Sequence, residues 1–213
     1  MKKIPFLDLY SQYESIKKEL DQAIDQTIKG SSFINGKSVD NFEENFATIN
    51  NMKYCTSCAN GTDALFIAMK SLKIRPGQEV ITTALSWVST SETITQAGGK
   101  VVFCDIKPNS YCIDVSLIEP LINENTVGII PVHIYGQPCE MREIMQLAEK
   151  YNLWVIEDCA QAHLAKYQEK NVGSFGCAST FSFYPSKNLG AMGDAGAILT
   201  NQITLNNRMH SFK

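Results

Sequence analysis

From residue 54 onward, short and nearly continuous apolar runs alternate with segments whose apolar residues fall three and four apart. The runs at 54–58, 79–83, 100–105, 127–132 and 153–157 read as strands. The segments at 62–72, 88–97, 115–123 and 140–151 read as helices, and Pro76-Gly77 reads as a turn. Two further strand-like runs, 180–184 and 197–200, flank a proline and a glycine-rich turn. Strands that are apolar throughout, rather than alternating, belong to sheets covered on both faces. The pattern therefore predicts a three-layer α/β/α fold with a mostly parallel sheet.

The N-terminal part is different. Tyr13, Ile16, Leu20, Ile24 and Ile28 predict an amphipathic helix over 10–29, broken at 30–36. Val39, Phe42, Phe46 and Ile49 mark one side of a second helix. The chain divides on this reading into an N-terminal helical segment, 1–36, and a large domain, 37–213. Its 213 residues suffice for one large α/β domain with extra segments, and 44% apolar against 19% charged residues suits a soluble globular protein. A net charge of −3 without a basic stripe gives nucleic-acid binding no electrostatic support. There is no run long enough to span a membrane, and the opening Met1-Lys-Lys-Ile-Pro lacks the apolar core of a signal peptide, so a cytoplasmic location is expected. Seven scattered cysteines do not form a disulfide framework. Cys55 and Cys58 make a lone C-x-x-C without the second pair that zinc requires, and are read as free thiols.

In open α/β sheets ligands bind beyond the carboxyl ends of the strands. After the first strand come Asn60, Gly61 and Thr62 at a helix start, which suits a phosphate or, equally, a plain N-cap. After the second comes Trp87, a core lid or a stacking plate for a flat ligand. After 153–157 comes Asp158, with Gln161 and His163 close behind. A carboxylate there needs a compensating partner such as a protonated ring nitrogen, or else serves as a helix cap. His163 reads equally well as a structural histidine. Lys187 sits between two strands, held by Pro185 and by Gly190, Gly193 and Gly196; it is either a placed lysine or a solvated turn residue. A phosphate cradle, an aromatic plate, a carboxylate and a lysine at one sheet edge are the set that pyridoxal 5′-phosphate requires.

Five stretches carry a resemblance. They are Ile4-Pro-Phe-Leu-Asp-Leu9, Ala59-Asn-Gly-Thr-Asp-Ala-Leu65, Ile130-Pro-Val-His-Ile-Tyr-Gly136, Val155-Ile-Glu-Asp-Cys-Ala-Gln161, and Ser182-Phe-Tyr-Pro-Ser-Lys-Asn-Leu-Gly190 with Gly193-Asp-Ala-Gly196. Together they resemble the DegT/DnrJ/EryC1/StrS family of sugar aminotransferases, which are fold-type-I pyridoxal-phosphate enzymes. The resemblance implies that Lys187 is the Schiff-base lysine, that Asp158 partners the pyridine nitrogen and that Gln161 partners the ring hydroxyl. It implies that Trp87 stacks on the ring and that Asn60, Gly61, Thr62 and Ser182 bind the phosphate. Relatives with histidine in place of the lysine are sugar dehydratases, so Lys187 implies transamination. The implied substrates are glutamate and a nucleotide-linked keto-sugar, giving an amino sugar for polysaccharide, lipopolysaccharide or a related product. Family members work as homodimers and continue into a small C-terminal domain, which this sequence is expected to lack, along with much of the substrate-binding apparatus. An exposed edge and unburied apolar surface are expected to follow. The alternative implied is a non-catalytic remnant that binds the cofactor weakly or acts only as an interaction module. A nucleotide-binding Rossmann protein is disfavoured, because no G-x-G-x-x-G follows the first strand.

Overall fold

The computed structural model describes residues 4–213; Met1 to Lys3, part of the opening read as free of a signal peptide, lie outside the described residues. The strands are β1 (Tyr54–Cys58), β2 (Glu79–Thr83), β3 (Lys100–Cys104), β4 (Thr126–Ile130), β5 (Trp154–Asp158), the short hairpin β6 (Lys166–Tyr167) and β7 (Lys170–Asn171), β8 (Ala178–Ser182) and β9 (Gly196–Thr200). The helices are α1 (Leu9–Lys29), α2 (Lys37–Ile49), α3 (Gly61–Ser71), α4 (Ser89–Gln96), α5 (Met141–Tyr151) and α6 (Ile203–Phe212). Seven strands form one sheet in the order β1-β9-β8-β5-β4-β2-β3. The run from β3 to β8 is parallel. β9 is antiparallel to both its neighbours, β8 and β1.

The continuous apolar runs are explained by burial on both sides. Val155 and Ile156, like Ile129 and Ile130, are neighbours in sequence but pack into different cores, because successive strand residues point to opposite faces. One core packs α3, α4 and α6 on the sheet through Leu65, Met69, Ile94 and Met209. The opposite core includes Ile113, Ile118, Met141 and Ile144. A third cluster joins α2 to β8 and β9, with Phe46 packed edge-on against Phe181 at 5.0 Å and Phe183 at 5.3 Å.

Two helical expectations are revised. Residues 115–123 form two single 3₁₀ turns, Val115–Leu117 and Glu119–Leu121, instead of one helix. Pro120 brings no amide to an α-helical ladder, and Ile122 returns to extended backbone, yet Ile118 is still fully buried. The helix at 10–29 forms as α1, but no residue of it is buried. Its apolar stripe, including Ile16, Ile24 and Ile28, faces solvent. On α2, Phe46 and Ala47 are buried but Ile49 is exposed.

Candidate functional site

The carboxyl ends of β1, β2, β5 and β8 converge on one cavity of about 670 Å³. Asn60, Gly61, Thr62, Trp87, Asp158, Ser182 and Lys187 all line it. These residues span almost 130 positions of sequence, and parallel strands with similar polarity are what bring them to one edge.

The floor of the cavity is the start of α3. Asn60 caps the helix, its side-chain oxygen accepting the Asp63 amide at 2.8 Å. The plain-cap reading and the cradle reading are therefore compatible, because the cap leaves the first amides of the helix without helical acceptors. Thr62 Oγ1 lies 2.7 Å from Ser89 Oγ, which ties α3 to α4. At Gly61 an added Cβ would fall 2.7 Å from the Ser182 Cβ, so only glycine allows the helix start to lie this close to the end of β8. Gly196 plays a similar part, since a Cβ there would lie 2.2 Å from the Asn60 carbonyl oxygen.

Asp158 ends β5 and is 4% exposed. Its Oδ1 accepts the Ala160 amide at 3.1 Å, and its Oδ2 accepts the Thr90 hydroxyl at 2.8 Å. Burial pushes its pKa up, opposed by those two hydrogen bonds and by the positive charge of Lys187. No helix follows it, so it is not a helix cap. Lys187 is half-buried, and desolvation holds its ammonium below the ordinary lysine range while Asp158 pulls the other way. The loop carrying it is tightly folded: the Lys187 amide donates to Tyr184, the Ala191 amide to Phe183, and a Cβ on Gly190 would lie 2.3 Å from the Pro185 carbonyl oxygen. Lys187 is thus placed by its loop, not left as a ragged turn residue. Trp87 is 74% exposed on the cavity wall, which rules out the core-lid reading.

Gln161 stands apart from this cavity. It lines an adjoining opening with Tyr135, Ser186, Lys187 and Asn188, and its Oε1 accepts the Tyr135 amide at 2.7 Å. That amide is aimed by a left-handed backbone at Tyr135, with φ 56°. His163 packs against Phe181 and Phe183 at ring separations of 5.4 and 5.2 Å, and burial lowers its basicity. Among the described residues, one group has metal-like spacing, His133, Glu157 and Cys159. Two of its three members are otherwise engaged, because Glu157 accepts the amides of Gly173, Phe175 and Gly176, and His133 Nδ1 accepts the Cys139 amide. Cys55 and Cys58 are free, and burial raises both thiols, Cys58 to about 12.

The sequence of residues 14–213 matches the DegT/DnrJ/EryC1/StrS aminotransferase family. The chain belongs to this family. It is 46% identical over 93% of its length to a protein of Geobacillus stearothermophilus named pleiotropic regulatory protein, covering 53% of that relative. It is 42% identical over 93% of its length to the UDP-2-acetamido-2-deoxy-3-oxo-D-glucuronate aminotransferase of Pseudomonas aeruginosa, covering 55% of it. The chain thus spans about half the length of the curated relatives it matches. Among solved structures, it superposes on a DegT DnrJ EryC1 StrS aminotransferase from Brucella abortus with a TM-score of 0.95 at 32% identity, covering 98% of this chain and 58% of the other. It also superposes on NtdA from Bacillus subtilis with bound cofactor PMP, with a TM-score of 0.91 at 32% identity, covering 98% and 47%.

Within this family member, several cavity residues escaped the sequence reading. Ser89 and Thr90, two and three residues after Trp87, lie on the first turn of α4, and Asp194 lies in the glycine turn that ends the Lys187 loop. The signal for Thr90 was its place one turn after a strand-end tryptophan. Its partner, Asp158, is 68 positions away, and a contact of that range has no local signature.

Proposed function

We propose that this chain carries the pyridoxal-phosphate site of a nucleotide-sugar aminotransferase. The observation that carries the reading is the meeting of Lys187, Asp158 and the Gly61 helix start in one cavity. The residues fit the cofactor. The Gly61–Ser182 approach leaves a cradle that a single methyl group would fill. Asp158 is a buried carboxylate with one donor on each oxygen, and it lines the cavity. When bound, pyridoxal phosphate supplies an aldehyde that captures amines and a ring that accepts electrons from an adjacent carbanion.

The chain's own residues provide the rest. The α3 start with Thr62 and Ser182 would hold the phosphate, where unpaired amides and the helix dipole favour an anion. Asp158 would hold the proton on the ring nitrogen. A carboxylate that costs free energy when buried alone becomes favourable once a cation lies against it. Trp87, exposed on the wall, would cover the ring face, and Gln161, oriented by the Tyr135 amide, would donate to the ring oxygen from the adjoining opening. The lowered basicity of Lys187 raises the share of neutral amine, which both attacks an aldehyde and takes a proton from a carbon at its Nζ. Lysine at this position supports transamination rather than dehydration. Glutamate as amino donor, a nucleotide-linked keto-sugar as acceptor, a homodimer and a cytoplasmic setting complete the proposal. For the setting, the only structural support is that no helix among the described residues is long and apolar enough to cross a membrane.

The test is an absorption spectrum of the chain with added pyridoxal phosphate, before and after glutamate, beside Lys187→Ala. The proposal expects a visible band that needs Lys187 and is lost on adding glutamate as the cofactor takes up the amino group. Absence of a lysine-dependent band overturns it for this chain and favours the non-catalytic remnant.

A further inference from the structure

We infer that Thr90 is a positioning residue that locks Asp158 and the Trp87 loop into one hydrogen-bonded unit, an inference whose functional meaning rests on the cofactor reading above. Thr90 is 1% exposed on the first turn of α4. Its Oγ1 lies 2.8 Å from Asp158 Oδ2 and 2.8 Å from Ser86 Oγ. Its amide donates to the Trp87 carbonyl at 3.1 Å. One residue therefore touches both the carboxylate and the turn that presents the exposed indole.

The direction of the chain follows from counting protons. An ionised carboxylate only accepts, so the single hydroxyl hydrogen of Thr90 goes to Asp158. Ser86 must then donate to Thr90. The sequence Ser86 to Thr90 to Asp158 runs from the loop beside Trp87 into the buried end of β5. Removing the Thr90 hydroxyl leaves Oδ2 buried without its donor and leaves Ser86 without its acceptor.

Other titratable groups near Asp158 are Lys187 from the loop after β8, His133 from the turn after β4, and Cys159, which follows it in the chain. Asp194 lines the same cavity. None of these changes between Thr90→Val and Thr90→Ser. Valine removes the hydroxyl and keeps the branched shape of threonine, while serine keeps the hydroxyl and loses the methyl.

The experiment follows the Asp158 carboxyl by carbon-13 NMR in the aspartate-labelled chain without cofactor, assigned with Asp158→Asn. Losing a donor to the charged form moves the titration upward. The expected rise for Thr90→Val is about one pH unit, the worth of one hydrogen bond to a charged group. Thr90→Ser is expected to restore the parent value. Ser86→Ala, which leaves the Thr90 donor in place, is expected to give a smaller rise and serves if Thr90→Val does not fold. A second arm titrates pyridoxal phosphate and expects binding at least tenfold weaker in Thr90→Val, recovered in Thr90→Ser. An unmoved carboxyl in Thr90→Val, or a shift that serine fails to reverse, overturns the inference. A moved and rescued carboxyl in a chain that forms no Lys187-dependent band upholds the hold on Asp158 and overturns the cofactor reading instead.

Discussion

Replacing Glu157 by glutamine tests how the cavity is braced from behind. Glu157 is fully buried, and its two oxygens accept four donors. Oε1 takes the amides of Phe175 at 2.7 Å and Gly176 at 2.8 Å. Oε2 takes the Gly173 amide at 2.7 Å and faces His133 Nε2 at 3.2 Å. The histidine cannot adapt by changing tautomer, because its Nδ1 already accepts the Cys139 amide at 3.1 Å and so keeps its proton on Nε2. Glutamine keeps one oxygen and turns an NH₂ toward two donors, leaving both without an acceptor. Each orphaned buried donor costs about 1–3 kcal/mol, so Glu157→Gln is expected to lose roughly 2–6 kcal/mol. For a chain of this size that lowers the melting temperature by about 4–24 °C. Thermal and urea unfolding followed by circular dichroism measure both. A loss below about 1 kcal/mol would refute the argument, since it would mean that the two orphaned donors find water or new partners at no cost.

Gly61→Ala is expected to weaken pyridoxal-phosphate binding at least tenfold, measured by absorbance titration, because the new Cβ lies 2.7 Å from the Ser182 side chain and must spread the cradle. Asp158→Asn is expected to stabilise the cofactor-free chain near neutral pH. The folded pKa of Asp158 is raised above 3.8, so the folded state binds the extra proton, and stability falls as pH rises from 3.8 through the folded value. Urea melts across that range should show the gap between variant and parent widening and then levelling off above it; a pH-independent gap contradicts the assignment. Cys55 and Cys58 are expected to resist iodoacetamide in the folded chain and to react fully in urea, read by mass spectrometry, because burial keeps both thiols protonated.

The sheet was legible in the sequence because burial on both faces leaves a mark that needs no partner: 127–132 and 153–157 are apolar enough to be read as strands alone. Direction left no such mark. The run at 197–200 looks like any buried strand, yet β9 is antiparallel to β8 and β1, because only the thirteen residues 183–195 separate it from β8 and no helix carries the chain back across the sheet. The stretch 115–123 failed for a local reason, since three- and four-residue spacing survives in a pair of 3₁₀ turns around Pro120. In the site, residues that follow a strand directly were readable from position. Thr90 and Asp194 were not, since their importance lies in what the fold sets opposite them.

The two adjacent acids at the end of β5 show what position alone leaves open. Glu157 and Asp158 are both buried, and either could be the carboxylate that a cofactor needs. Strand geometry sends them to opposite faces of the sheet. On one face Glu157 meets four donors, which use its acceptor capacity and leave nothing for a ligand. On the other face Asp158 meets two donors, one per oxygen, and borders the cavity. A carboxylate oxygen accepts about two hydrogen bonds. The remaining capacity of Asp158 is the part of the site that an incoming cation would complete. The count of donors, rather than the order of residues, separates the acid that holds the fold from the acid available to chemistry.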